Sequence, residues 1–341
     1  MKKTLLLFFM GFGVSLGQAP LNQGPVPLKI FLLAGQSNMS GYASTEGLRS
    51  NLTQDQPVVM IYADGELDSA NKKQWLRDGL GFGGEPGYFG PEITFGKTLT
   101  DSVPGTKFAL IKYSKSNTGL ATHWRPPSSG GQLGGLYKNF MAVIDTALAA
   151  IDTRKYTPEI VGVLWMQGES DAMSPIYADE YQANLEHFIS DIRTKVGIPD
   201  MPFIIGKIDS THWWRYAGAV RAAESRVAMA GTNVGIFDTH GYPTDDMHYY
   251  RDGMIQMGQD FAKTFLTSYK ARLTTERVVN KNRLASRLAR ASYGSGTKML
   301  PALRPASNEI PVNIEFFDLT GRSILRRQAT GFNRLLAGPR P

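Results

Sequence analysis

The stretch KIFLLAGQSNMSGYA, residues 29–43, decides how this chain is read. Lys29–Gly35 is an almost unbroken apolar run of strand length, the pattern of a strand covered on both faces. A turn of small residues follows and holds Ser37 between Gln36 and Asn38. In an open α/β sheet ligands bind beyond the carboxyl ends of strands, so a serine here is placed for chemistry. Serine is equally a favoured cap for a helix that follows. If a helix starts at this point, the Ser37 N–H lies where an oxyanion is stabilised. The stretch leaves both roles open, because a nucleophile needs a base.

Working outward, short β-rich runs alternate with amphipathic stretches of helical length over residues 28–267, which predicts an α/β fold with a parallel sheet covered by helices. The strand candidates are 29–35, 58–63, 107–114, 160–168, 202–209 and 233–239. One predicted helix, residues 136–152, places Phe140, Val143, Ile144, Ala147 and Ile151 on a single stripe. A second aligns Tyr181, Leu185, Phe188, Ile189 and Ile192 and stops at Gly197. Residues 219–231 and 252–269 supply two more. The Gly/Pro-rich connections at 78–92 and 123–135 are long for a compact domain, and loops of that length usually line a site.

The 341 residues, 42% of them hydrophobic, suffice for one large core. Without cysteine there is no disulfide, thiolate metal site or cysteine nucleophile. Residues 1–17, MKKTLLLFFMGFGVSLG, have the charged start, short apolar run and small residues of a cleavable secretory signal. A secreted protein with no membrane association after cleavage is expected. The net charge of +7 does not indicate nucleic acid. Of the 37 Lys and Arg, 14 lie in residues 269–341 beside only 4 Asp and Glu, leaving 23 basic against 26 acidic residues in the rest. Basicity belongs to the tail. Its residues 270–309 read as a basic Gly/Ser/Pro-containing linker, and 310–341 as a partial β-hairpin around Leu319-Thr320-Gly321-Arg322.

Five histidines could serve Ser37: His123, His187, His212, His240 and His248. His248 stands out because Asp245 lies three residues before it, a spacing that brings both side chains to one side of a turn. A carboxylate so placed can hold one imidazole nitrogen protonated and leave the other to take the serine proton. WMQGESDA, residues 165–172, puts Gln167, Glu169, Ser170 and Asp171 at a second strand end, where a side-chain amide could donate to an oxyanion and the acids could serve architecture. In KYSKSNTGLATHW, residues 112–124, a Ser/Asn/Gly turn could present backbone N–H groups, with His123 and Trp124 as an aromatic wall. Glu169, Asp171, Asp245, Asp246 and His248 lack a compact metal-ligand spacing, so no metal and no cofactor is expected.

Taken in order, GQSNM, GPE at 90–92, WMQGESD and the late Asp-x-x-His resemble the SGNH-type carbohydrate esterases, and within them the sialate O-acetylesterase-like group that includes the family-six acetylxylan esterases. The resemblance covers residues 28–267. It implies a three-layer α/β/α sandwich, flavodoxin-like, spanning residues 18–269, and metal-free deacetylation of an acetylated polysaccharide such as acetylxylan. Carried over residue by residue, it makes Ser37 the nucleophile, His248 the base and Asp245 its orienting acid. The oxyanion donors would be Ser37, Asn117 (or Gly119) and Gln167, and His123, Trp124 and Glu169 would contact substrate. The family usually shows two glycines where this chain reads Ser116-Asn117-Thr118-Gly119. The C-terminal VNIEFFDLTGRSI is similar to the start of sorting modules read by type nine export machinery.

Overall fold

A computed structural model describes residues 24–274, with residues 56–58 and 68 excepted, and the backbone of two further strands. The signal-like residues 1–17 and the linker beyond Thr274 lie outside the described residues. Residues 1–291 and 292–341 are separate compact units. In the second, Val312–Phe317 pairs antiparallel with Ser323–Ala329.

The first unit is built on seven strands: β1 (Val26–Gly35), β3 (Val59–Gly65), β4 (Trp75–Arg77), β6 (Lys107–Ser114), β7 (Tyr156–Met166), β8 (Phe203–Lys207) and β9 (Val234–Asp238). The short strands β2 (Ala43–Ser44) and β5 (Tyr88–Phe89) form a separate pair. Helices are α1 (Ser37–Ser40), α2 (Ser50–Thr53), α3 (Glu92–Ser102), α4 (Gly135–Ala149), α5 (Pro175–Val196), α6 (Ala217–Ala230), α7 (Arg251–Tyr269) and α8 (Ala271–Thr274). The sheet order is β4-β3-β6-β1-β7-β8-β9, parallel except for the edge strand β4, which pairs antiparallel with β3. All six strands expected from the sequence form; β4 is an addition. A flavodoxin arrangement keeps the first strand between the second and third. Here β6, the third parallel strand, slots between β3 and β1 instead.

Alternation along the strands assigns the two faces. Phe31 of β1 meets Phe95 of α3 and Phe265 of α7 edge to face, and α3 packs on α7. On the opposite face Tyr113 of β6 stacks on Phe140 of α4, and Trp165 of β7 lies 4.5 Å from Phe188 of α5. Helix–sheet–helix layering follows, as the sequence led us to expect. The predicted apolar stripes of α4 and α5 are buried, and α5 ends where Gly197 turns left-handed at φ 68°. Helix α3 had no clear sequence signal: Gly96 and its three threonines are weak helix formers. Packing against α7 stabilises it. Gly96 gives room there, since a Cβ would sit 2.7 Å from the Asp78 carboxyl and 3.2 Å from Val59.

Candidate active site

Register delivers the site. Gly65 of β3, Ser114 of β6, Gly35 of β1 and Met166 of β7 stand side by side, so four strands end in one row. The chain leaving each strand therefore emerges at the same edge: Glu66, Lys115–Asn117, Gln36–Ser37 and Gln167. Gly35 makes this approach possible, because a Cβ at that position would lie 2.0 Å from the Met166 carbonyl oxygen.

Ser37 does not cap α1. It is the first residue of that four-residue helix, Gln36 precedes it, and no side-chain cap bond is made. A single turn carries almost no macrodipole; what it offers is individual N–H groups. Among the described residues neither the N–H nor the hydroxyl of Ser37 has a hydrogen-bond partner. Below it, fully buried Lys112 donates to the Ser40 and Phe82 carbonyls and to Glu92 Oε2 at 2.7–2.9 Å. Glu92 in turn accepts the Gly90 N–H, which accounts for the GPE motif as the foundation of the serine turn.

Around the serine runs a layer of buried polar groups that is almost wholly committed. Gln36 Oε1 accepts from Gln167 Nε2 and from the Ser170 N–H. Asp171 accepts the N–H groups of Leu120 and Ala121, tying the third strand's turn to the fourth's. Burial pushes the Asp171 carboxyl up, and these donors oppose the rise. Four sequence assignments change here. The Gln167 amide is fully buried, and its two hydrogens are shared among Thr118 O at 2.9 Å, Asp171 at 2.7 Å and the longer contact to Gln36 at 3.2 Å, leaving none for an oxyanion. Gly119 has its N–H on His123 Nδ1 at 3.2 Å. Trp124 is no wall of a crevice: it is fully buried against Trp165, Phe140 and Phe188, with its indole N–H on Thr118 Oγ1. Glu169 is also buried and holds Asn38 Nδ2 at 2.8 Å, so it cannot reach a substrate.

The remaining expected groups face outward. Asn117 is exposed, left-handed at φ 57°, and its N–H is unpartnered among the described residues. His123 is exposed in the same turn, its Nδ1 close to Thr122 Oγ1. The half-buried His248 ring stacks on Tyr42 at 4.9 Å. Burial lowers the pKa of His248, and the charges of Asp245 and Glu66 act the other way. Asp245 Oδ1 accepts the N–H groups of Met247 and His248 at 2.9 and 2.6 Å, an Asx turn that shapes the loop. Its carboxylate acts on the imidazole through space, since no hydrogen bond joins the two side chains among the described residues.

Tyr42 OH sits 3.4 Å from Ser116 Oγ, and Glu66 accepts the Ser116 N–H at 2.6 Å. Burial alone would raise Glu66, but Ser116 and Lys115 hold it below its ordinary value. A cavity of about 750 Å³ opens beside His248, lined by Tyr42, Tyr88, Tyr250, Glu46, Arg251 and Asp252 among others. The sequence reading did not pick out Tyr42, Lys112 or Asn38. Nor did it pair His240 with Asp209, which meet at 2.7 Å beyond β8 and β9.

A family model described as "carbohydrate esterase, sialic acid-specific acetylesterase" matches residues 27–267. A probable carbohydrate esterase of Arabidopsis thaliana is 25% identical over 267 residues, covering 73% of this chain and 95% of that protein. A solved structure of that Arabidopsis protein superposes with a TM-score of 0.59 at 21% identity, over 71% of this chain and 99% of the other. A carbohydrate acetylesterase from Xanthomonas citri gives 0.54 at 17% identity, over 71% and 56%. With the family match spanning the whole sheet and every strand end described above, this chain belongs to the sialic acid-specific acetylesterase family of carbohydrate esterases.

Proposed function

We propose that the protein is a carbohydrate O-acetylesterase in which Ser37 attacks the acetyl carbonyl while His248 accepts its proton. The observation that supports this most directly is the contrast at the sheet edge: the Ser37 hydroxyl has no partner among the described residues, whereas the neighbouring side chains of Gln36, Asn38 and Gln167 are bonded. The developing oxyanion takes the unpartnered N–H groups of Ser37 and Asn117. His248 passes its proton to the departing sugar oxygen, which leaves as a hydroxyl, then activates the water that releases acetate. Asp245 favours the transient imidazolium by its charge. A neutral imidazole is needed first, and burial of His248 favours that form.

For substrate we propose a neutral acetylated polysaccharide, with acetylxylan as the leading case. Tyr42, Tyr88 and Tyr250 offer rings to a sugar, and the cavity sets Glu46, Asp245 and Asp252 against a single Arg251, a balance that disfavours an anionic sugar. A second reading, a sialic acid ester, rests on Arg49 in the adjoining cavity of about 490 Å³, which shares Gly47, Arg251 and Asp252; the Lys97 it also adds is paired with Asp101. Export, suggested by residues 1–17, suits a polymer substrate. Acetate release from acetylated xylooligosaccharides and from O-acetyl sialic acid, measured side by side, tests the choice. At least tenfold higher kcat/KM on the xylooligosaccharide is expected; the reverse preference establishes the sialate reading, and no release from either refutes the esterase.

A further inference from the structure

Asn38 follows the nucleophile and is fully buried, with both amide hydrogens donated and the amide oxygen accepting one N–H. Its Nδ2 donates to Glu169 Oε1 at 2.8 Å and to the Met247 carbonyl at 3.3 Å, and its Oδ1 accepts the Tyr249 N–H at 3.4 Å. Met247 and Tyr249 are the residues on either side of His248. We infer that Asn38 is a positioning residue, which grips the two peptide groups flanking His248 and so sets the base against the adjacent Ser37; this rests on the Ser37–His248 reading above.

The loop's other bonds cannot do this job. The Asx turn of Asp245, the Thr244 hydroxyl on the His248 carbonyl and the Tyr250 N–H on the Pro243 carbonyl brace the loop internally. Tyr249 OH reaches Thr239, which anchors the loop toward β9 rather than toward the serine. The Tyr42 ring packs on His248 but leaves it free to slide in the plane of the stack. Among the described residues only Asn38 joins the serine turn to both sides of the histidine by directional bonds. Glu169 fixes which way the amide points: its Oε1 accepts from Nδ2, which turns Oδ1 toward the Tyr249 N–H. The two loop bonds are long, as catalytic contacts often are before substrate closes the site. A misplacement of about 1 Å between nucleophile and base costs on the order of 10²-fold in turnover.

The test uses three variants of the full chain: Asn38→Asp, Glu169→Gln and the double variant. Asn38→Asp keeps the shape and the acceptor for Tyr249 but aims a carboxylate at Glu169 and at the Met247 carbonyl. With an aryl acetate as probe, kcat should fall about 10²-fold while KM stays within about twofold, and the acid limb of the pH profile should move to higher pH because a negative charge now lies beside the histidine loop. Glu169→Gln alone should lose less than tenfold. In the double variant the glutamine amide can donate to the new carboxylate, and at least tenfold of the lost kcat should return. Rates of Ser37 labelling by an aryl phosphate, read by mass spectrometry, should follow the same order and report on base geometry without substrate turnover. Thermal unfolding is followed throughout, and Asn38→Ser replaces Asn38→Asp if the latter does not fold. Unaltered kcat and labelling rate in a folded Asn38 variant overturns the inference, as does a double variant no faster than the product of the single effects. Ser37→Ala run alongside separates the two levels: if it keeps normal acetate release the serine mechanism itself is wrong, whereas an inactive Ser37→Ala beside fully active Asn38 variants removes only the positioning role.

Discussion

Two polar layers meet at the carboxyl edge of this sheet, and they differ in what their hydrogen bonds are for. The inner layer, Gln36, Asn38, Gln167, Glu169 and Asp171, is at most 4% exposed, and its groups bond almost entirely to one another and to backbone. The outer layer, Ser37, Asn117, His248 and Tyr250, keeps donors and acceptors unspent or reaches solvent. Polar residues concentrated around Ser37 are therefore mostly the scaffold that holds it. A buried amide left unpaired is costly, which is why these amides bond inward; Glu169 Oε2, by contrast, has no hydrogen-bond partner among the described residues.

The comparison is open to direct attack. The largest effect should come from Ser37→Ala, with acetate release falling by at least about 10³-fold and no change in Tm; loss of Tm in step with activity would move Ser37 into the scaffold. Trp124→Ala should cost about 3–5 kcal/mol of stability, a Tm drop of roughly 10 °C, with KM unmoved in the folded enzyme. A several-fold rise in KM would return Trp124 to the crevice. Gln167→Ala should cost about 2–3 kcal/mol, because Thr118 and Asp171 each lose a buried donor. If instead kcat fell 10²-fold at constant Tm, the amide would be an oxyanion donor after all.

The smallest effect is on pH dependence. Because burial disfavours the imidazolium of His248, its pKa is lowered, and kcat/KM should hold below the pH at which an ordinary histidine protonates before it declines. Asp245 pulls that pKa back up, so Asp245→Asn should shift the acid limb to still lower pH and reduce kcat about tenfold, as the imidazolium loses a favourable charge. An unmoved limb would leave Asp245 with its Asx turn alone.

Legibility in the sequence follows from the physics of each group. The six central strands were readable because strands buried on both faces are continuous apolar runs. Helix α3 was not, since its Gly96 and threonines are tolerated only through contacts with α7 and Asp78. Residue type and spacing, with the family resemblance, pointed to Ser37, His248 and Asp245 as the candidate reacting set. They could not tell Gln167, Trp124 and Glu169 apart from substrate-facing groups, because an amide, an indole and a carboxylate look the same in sequence whether they face a crevice or the core.

The sequence by itself determined the alternation of strands and helices, the family motifs and the presence of a serine just beyond a buried strand, since these depend on local apolar period and residue type. Tertiary structure decided what surrounds that serine. Strand register brings Gly65, Ser114, Gly35 and Met166 into one row, and contacts across 131 and 209 residues join Asn38 to Glu169 and to the His248 loop. Ser37 follows a strand that any reader of KIFLLAGQSNM would find, but only the tertiary structure shows it without a hydrogen-bond partner among the described residues while its neighbours Gln36 and Asn38 are bonded to distant ones.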